Sequence, residues 1–225
     1  MKRTIIKGAG AKSLNRESKK LLALAVFTFI VSPILAWGSV IASKETAVFA
    51  SLSRMMWYSG SWVRIFIAML AMFIPMLIAF FHAHNMCGIT KTQKNVLRIC
   101  MIVSCAVLYI GAMWIMPSDG NTMTSENIWH GVLSFSGMLM IFLTYCLYVA
   151  IIRSMDRDGA FLLAGFLVFS LITGLFAVLN VFDDKSYVIA SAVSELYVLT
   201  MMSLVGYLTY YLAYRKAKAD GNSES

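Results

Sequence analysis

Six stretches of this 225-residue chain carry almost no charge, and each is long enough to cross a bilayer. They run 21–43, 65–90, 99–118, 127–152, 159–182 and 186–214, and only the last contains an acid, Glu195. About 20 apolar residues at 1.5 Å each traverse a hydrocarbon core of about 30 Å, so every stretch holds one spanning helix. With 60% hydrophobic and 13% charged residues, the chain has too little polar surface to cover a water-soluble domain. The strict alternation of barrel strands is missing, and lipid leaves helices as the economical way to satisfy the backbone.

The predicted fold is therefore all-α: a polytopic membrane protein with a single bundle of six transmembrane helices. The spans are placed at about 21–43, 65–83, 97–117, 128–152, 160–181 and 188–213. A basic tail, 1–20, precedes the 21–214 transmembrane domain, and a polar tail, 215–225, follows it. Short connections such as "RSMDRDG" make consecutive helices antiparallel neighbours. Pro33 and Pro75 fall inside the first two spans, where neighbouring helices can repair the missing hydrogen bond.

Orientation follows from the basic residues, which are retained on the cytoplasmic side. Fifteen of the nineteen lie in the N-terminal tail, the second and fourth connections and the C-terminal tail. Both termini are thus expected in the cytoplasm, with the chain a multi-pass protein of the plasma membrane. The net charge of +8 is in this reading a topology signal, and nucleic acid is not an expected partner. The N-terminus also resembles a signal peptide ending near "AWGSVIAS", but its apolar run is too long for one. Cys87, Cys100, Cys105 and Cys146 all fall on the cytoplasmic half, which predicts free thiols. No CxxC or Cys/His metal spacing occurs, so no metal and no cofactor is expected.

Glu195 poses the chemical question. An acid within a span costs a few kcal/mol unless it faces the bundle interior, a cavity or a partner. Ser191 lies one turn before it on the same face. At the outer mouth of the fourth span, Glu126 and His130 share a face four residues apart, with Ser134 a further turn down. Asn180 ends the fifth span on the same side, and Asp119 precedes the fourth. These residues, His130, Glu195, Glu126, Asp119, Ser134, Ser191 and Asn180, form the candidate polar pocket of the outer half. The alternative for Glu195 is a single interhelical hydrogen bond of about 0.6–2 kcal/mol. His82 and His84 in "FHAHN" alternate by two at the opposite end and diverge on a helix. "SLSRMMWYSGSWVR" has the aromatic and basic composition of an interfacial anchor, or of a lid over the outer mouth.

The aromatic and serine-bearing segment before the second span, "PSDGNTMTSENIWHGVLSF" leading into the fourth, and "SELY" in the last together resemble the FGF-receptor-activating protein and damage-regulated autophagy modulator (FRAG/DRAM) family and its uncharacterised bacterial relatives. The likeness covers about 21–214. It implies a link to lipid or GPI-anchor remodelling and carries His130, Asp119 and Glu195 across as site residues. A ceramidase-like zinc site is disfavoured, because two of the three histidines stand at the wrong end and no HxxxH exists.

The sequence thus supports a lipid-handling or lipid-sensing protein that uses the outer pocket, with membrane lipids as partners. A non-enzymatic assembly or regulatory subunit is the alternative, and a small proton-coupled transporter working through Glu195 a second. Catalysis is not established by any motif: there is no GxSxG elbow, phosphate loop, dinucleotide fingerprint or HExxH. If chemistry occurs, Glu195 or His130 is the expected general acid or base.

Overall fold

The computed structural model describes residues 11–41, 62–113, 125–179 and 192–222. The described residues are helical apart from two short connections, with no strand among them. The first span is built from α1 (Ala11–Val26), a five-residue π-helical turn (Phe27–Val31) and α2 (Ser32–Ile41). Then come α3 (Trp62–Met86), α4 (Lys91–Met113), α5 (Ser125–Ile152), α6 (Arg157–Leu179) and α7 (Ala192–Asn222). Among the described residues six helices are long and apolar enough to cross a membrane, one in each apolar stretch of the sequence. The exterior is apolar: Phe161 keeps 79% of its surface exposed, and Leu22, Ile34 and Phe135 are similarly bare. In water such a surface would aggregate, whereas lipid solvates it. The chain is an integral, multi-pass membrane protein.

The two prolines organise one side of the bundle. Pro75 has no N–H to give to the carbonyl of Ala71, four residues before it, within the otherwise continuous α3. The hydroxyl of Ser32 takes that place, donating to the Ala71 carbonyl at 2.6 Å from the neighbouring helix. One residue further on, the Ser203 hydroxyl of α7 donates to the Met72 carbonyl, also at 2.6 Å. Pro33 follows Ser32 directly, and the turn before it widens to a π-helix in which the Ser32 N–H reaches back to Phe27. A π-turn is one way a helix accommodates a residue that cannot continue its ladder.

Glycines set the closest approaches. A Cβ on Gly206 of α7 would stand 3.0 Å from Met76 Cα, next to Pro75, so α7 lies close against α3. A Cβ on Gly137 of α5 would come within 2.5 Å of the Leu108 backbone of α4, and one on Gly111 of α4 within 2.5 Å of the Ser134 backbone of α5. Small residues at such crossings let helix backbones touch and gain dispersion energy where lipid offers no hydrophobic drive.

The closest backbone pairings are α4 with α5 and α3 with α7. α3 and α4 are neighbours through their side chains: Arg98 donates to the Asn85 side chain at 3.0 Å near the connection, and the Phe66 and Phe73 rings reach Tyr109 at centroid distances of 6.2 and 5.5 Å. α3 directs its small and flexible face, Ala68, Met72, Met76 and Ala79, into the core and toward α7.

Ser32→Ala leaves a buried carbonyl without a donor, so it is expected to destabilise the bundle by about 1–3 kcal/mol. Reversible unfolding in mixed micelles measures it; a loss below about 0.5 kcal/mol would show that the Ala71 carbonyl finds another donor.

Candidate functional site

Of the expected outer pocket, the structure describes His130, Ser134 and Glu195 in full. Asp119, Asn180 and Ser191 lie outside the described residues, as does most of "SLSRMMWYSGSWVR", and of Glu126 only the backbone, in the first turn of α5, is described. His130 is buried, with 9% of its surface exposed, and hydrogen-bonds the backbone of Gly111. Ser134 meets the same glycine one turn below. The two residues therefore belong to the α4–α5 crossing. Glu195 is half-buried in the first turn of α7. There its carboxylate stands at the positive end of the helix dipole, which favours negative charge. α5 packs chiefly on α4, and α7 on α3 and α6, so His130 and Glu195 belong to different helix pairs.

A more developed constellation lies at the opposite end, where the basic residues gather. There the first helix begins at Ala11, ahead of the apolar run, and brings Glu17 and Lys20 onto the bundle. The Lys20 ammonium contacts the Glu17 carboxylate at 2.6 Å. The fully buried Tyr210 of α7 donates its hydroxyl to the other Glu17 oxygen, also at 2.6 Å. The His82 ring of α3 lies over the Tyr210 ring at a centroid distance of 5.6 Å. Three helices are thus joined around one carboxylate, with charge-assisted bonds that are short and about twice as strong as neutral ones.

From this cluster a groove of about 300 Å³ runs between the first helix and α3 toward the middle of the bundle. Lys20, His82 and Tyr210 form its mouth, and Leu24, Phe27, Ile74, Pro75 and Ile78 line its length. Lys20 to Phe27 and His82 to Ile74 each span seven or eight residues, about 10–12 Å of helix rise, close to the ~15 Å depth of one leaflet. The proline joint shapes the groove: Pro75 lies in its wall and Phe27 opens the π-turn.

His84, two residues from His82, points the other way as its spacing requires. It is fully buried, its ring 4.2 Å from that of Phe80 and 5.4 Å from that of Tyr148. Beside it the Cys87 thiol and the Tyr148 hydroxyl are 3.1 Å apart. Burial pushes the Cys87 thiol up, with the Tyr148 hydrogen bond opposing, so this cysteine is not an activated nucleophile. All four cysteines are free, and no group of three metal-type ligands occurs among the described residues.

Neither Glu17, in the basic tail, nor Tyr210, in the last span, stood among the candidate residues of the sequence. One signal was present: Glu17 is the single acid among seven bases in the first twenty residues, three positions before Lys20. Comparison with protein-family models, with curated proteins and with solved structures finds no match for this chain.

The glycine crossing makes a sharp mutational contrast. Gly111→Ala forces Ser134 to move and is expected to cost about 1–3 kcal/mol through overpacking. Gly131→Ala, whose Cβ meets nothing within 4 Å, should be neutral or gain up to about 1 kcal/mol of helix propensity. Unfolding in micelles separates the two, and equal effects would mean that the crossing is looser than described.

Proposed function

We propose that this protein binds and handles membrane lipids, and that its lipid site is the groove between the first helix and α3, in the cytoplasmic leaflet. The observation that carries the reading is the combination of an apolar groove about 10–12 Å long with a lysine at its mouth. An acyl chain suits the lining of Leu24, Phe27, Ile74 and Ile78, and an anionic phosphate suits Lys20. Glu17 occupies one of the three ammonium hydrogens of Lys20, which leaves two directed donors for a headgroup. The charge near the mouth favours an anion: Arg16, Lys19 and Lys20 lie on α1, and Arg215, Lys216 and Lys218 lie in the last turns of α7 at the same end. Each basic residue near an anionic leaflet adds about 1 kcal/mol of attraction.

Glu17 and Tyr210 act here as positioning residues. They fix the Lys20 side chain against the groove and spare part of the entropy that an unrestrained lysine loses on binding. The resemblance to the FRAG/DRAM family points in the same direction, toward lipid remodelling. No described residue forms a nucleophile and base pair at the groove, so binding, sensing or presentation of a lipid fits the site better than hydrolysis.

Thermal unfolding of the full-length protein in detergent, with phosphatidylglycerol or phosphatidylcholine added, tests the reading. A lipid present at 100 times its Kd stabilises by about 2.7 kcal/mol. The anionic lipid is expected to raise the Tm by several degrees more than the zwitterionic one, and Lys20→Gln to erase that difference. An equal response to both lipids, or an undiminished preference in Lys20→Gln, would overturn it.

A further inference from the structure

A second groove, of about 890 Å³, opens at the basic end of the bundle between the end of α5 and the first turns of α6. Val149 and Arg153 border it from the α5 side, and Arg157, Asp158, Phe161 and Leu162 from α6. Ala160 and Ala164, one turn apart, line it with short side chains that leave the space open. Phe161 is 79% exposed and Leu162 50%, so the groove faces lipid and not the core. From Arg157 to Ala164 it follows seven residues of α6, about 10 Å of helix rise. It shares no residue with the groove at Lys20.

The turn that joins the two helices holds the charges of this groove in place. The N–H groups of Met155 and Asp156 both donate to the Ile152 carbonyl at 2.8 Å, and the Gly159 N–H donates to Asp156 Oδ1 at 2.9 Å. Asp156 is therefore engaged as the cap of α6. Arg153, Arg157 and Asp158 are exposed, and among the described residues their side chains make no ion pair with one another or with any other group. Two cations and one anion thus border the same groove without neutralising each other. The contrast with the first groove is direct, because there the Glu17 carboxylate is already taken by Lys20 and Tyr210.

We infer that this groove is a second lipid site, which takes a zwitterionic phospholipid with a primary ammonium headgroup, phosphatidylethanolamine. The phosphate suits the guanidinium groups of Arg153 and Arg157, whose forked N–H donors match phosphate oxygens in pairs. The ammonium, a short ethylene bridge away, donates to the Asp158 carboxylate, which when ionised is an acceptor only. An acyl chain follows Phe161, Leu162 and the two alanines. A choline headgroup carries the same charges but has no N–H to give, and a glycerol headgroup brings no cation to Asp158. The second site therefore selects by the amine, where the Lys20 groove selects by net negative charge. The inference does not rest on that first groove.

Native mass spectrometry of the full-length protein, titrated in detergent with phosphatidylethanolamine or phosphatidylcholine, reads the affinity for each lipid. Wild type is expected to bind the ethanolamine lipid about threefold tighter, the scale of an exposed ion pair. Asp158→Asn should bring the two lipids level, and the double variant Arg153→Gln/Arg157→Gln should weaken both. Lys20→Gln should keep the full preference, which separates this site from the first groove. A wild-type ratio below about twofold overturns the inference. So does a preference that survives Asp158→Asn, undiminished binding in the double arginine variant, or a preference lost in Lys20→Gln. Should Asp158→Asn fail to fold, Asp158→Ser is judged by the same criterion.

Discussion

The hydrogen bond from the Ser32 hydroxyl to the Ala71 carbonyl is the constraint on which one half of this bundle turns. Pro75 interrupts α3 in the middle of a membrane, where a free carbonyl has no water to turn to. The donor must come from another helix, and it comes from the residue immediately before a second proline. That fixes where the first span crosses α3, and the π-turn ahead of Pro33 sets the direction from which it arrives. Ser203 performs the same service for Met72 from α7, so three helices converge on one proline. The groove with Lys20 at its mouth is a product of this joint, since Pro75 and Phe27 both border it.

The other half is organised by shape. Gly111 and Gly137 bring α4 and α5 into backbone contact at two successive levels, and Gly206 does the same for α7 against α3. Close crossings of this kind hold the surrounding side chains in single arrangements. They also determine which polar groups face the interior, and at what spacing. Ser134 faces the core at the Gly111 crossing, and Tyr109 lies two residues from that glycine on the partner helix. Tyr145 approaches the bundle centre, where a Cβ on Gly206 would stand 3.1 Å from its hydroxyl.

Much of the architecture was legible in the sequence, because lipid imposes a simple rule: long uncharged runs become helices. The divergence of His82 and His84 was legible too, from the angle between alternate residues on a helix. The repair of the prolines by neighbouring helices was foreseeable as chemistry, but not the identity of the donors, since Ser32 and Ala71 are 39 residues apart. The partnership of Glu17 with Tyr210 was hidden for the same reason, at a separation of 193 residues. Charge counting assigned Glu17 to a tail, whereas helix α1 continues beyond the apolar run and carries it to the bundle. His130 and Ser134 do stand together, and what unites them is a glycine on α4 that no count of polar residues would select. Glu195 drew attention as an acid in an apolar run, and its place in the first turn of α7 supplies a physical reason for it in the helix dipole.

The central claim is that the proline joint builds a lipid site. A cryo-EM map of the full-length protein in nanodiscs containing phosphatidylglycerol addresses it most directly. The account predicts an acyl chain lying along Ile78, Pro75 and Phe27, with a phosphate oxygen about 3 Å from the Lys20 ammonium. A groove closed by direct contact of the first helix with α3, or headgroup density held elsewhere while Lys20 contacts Glu17 alone, would contradict it.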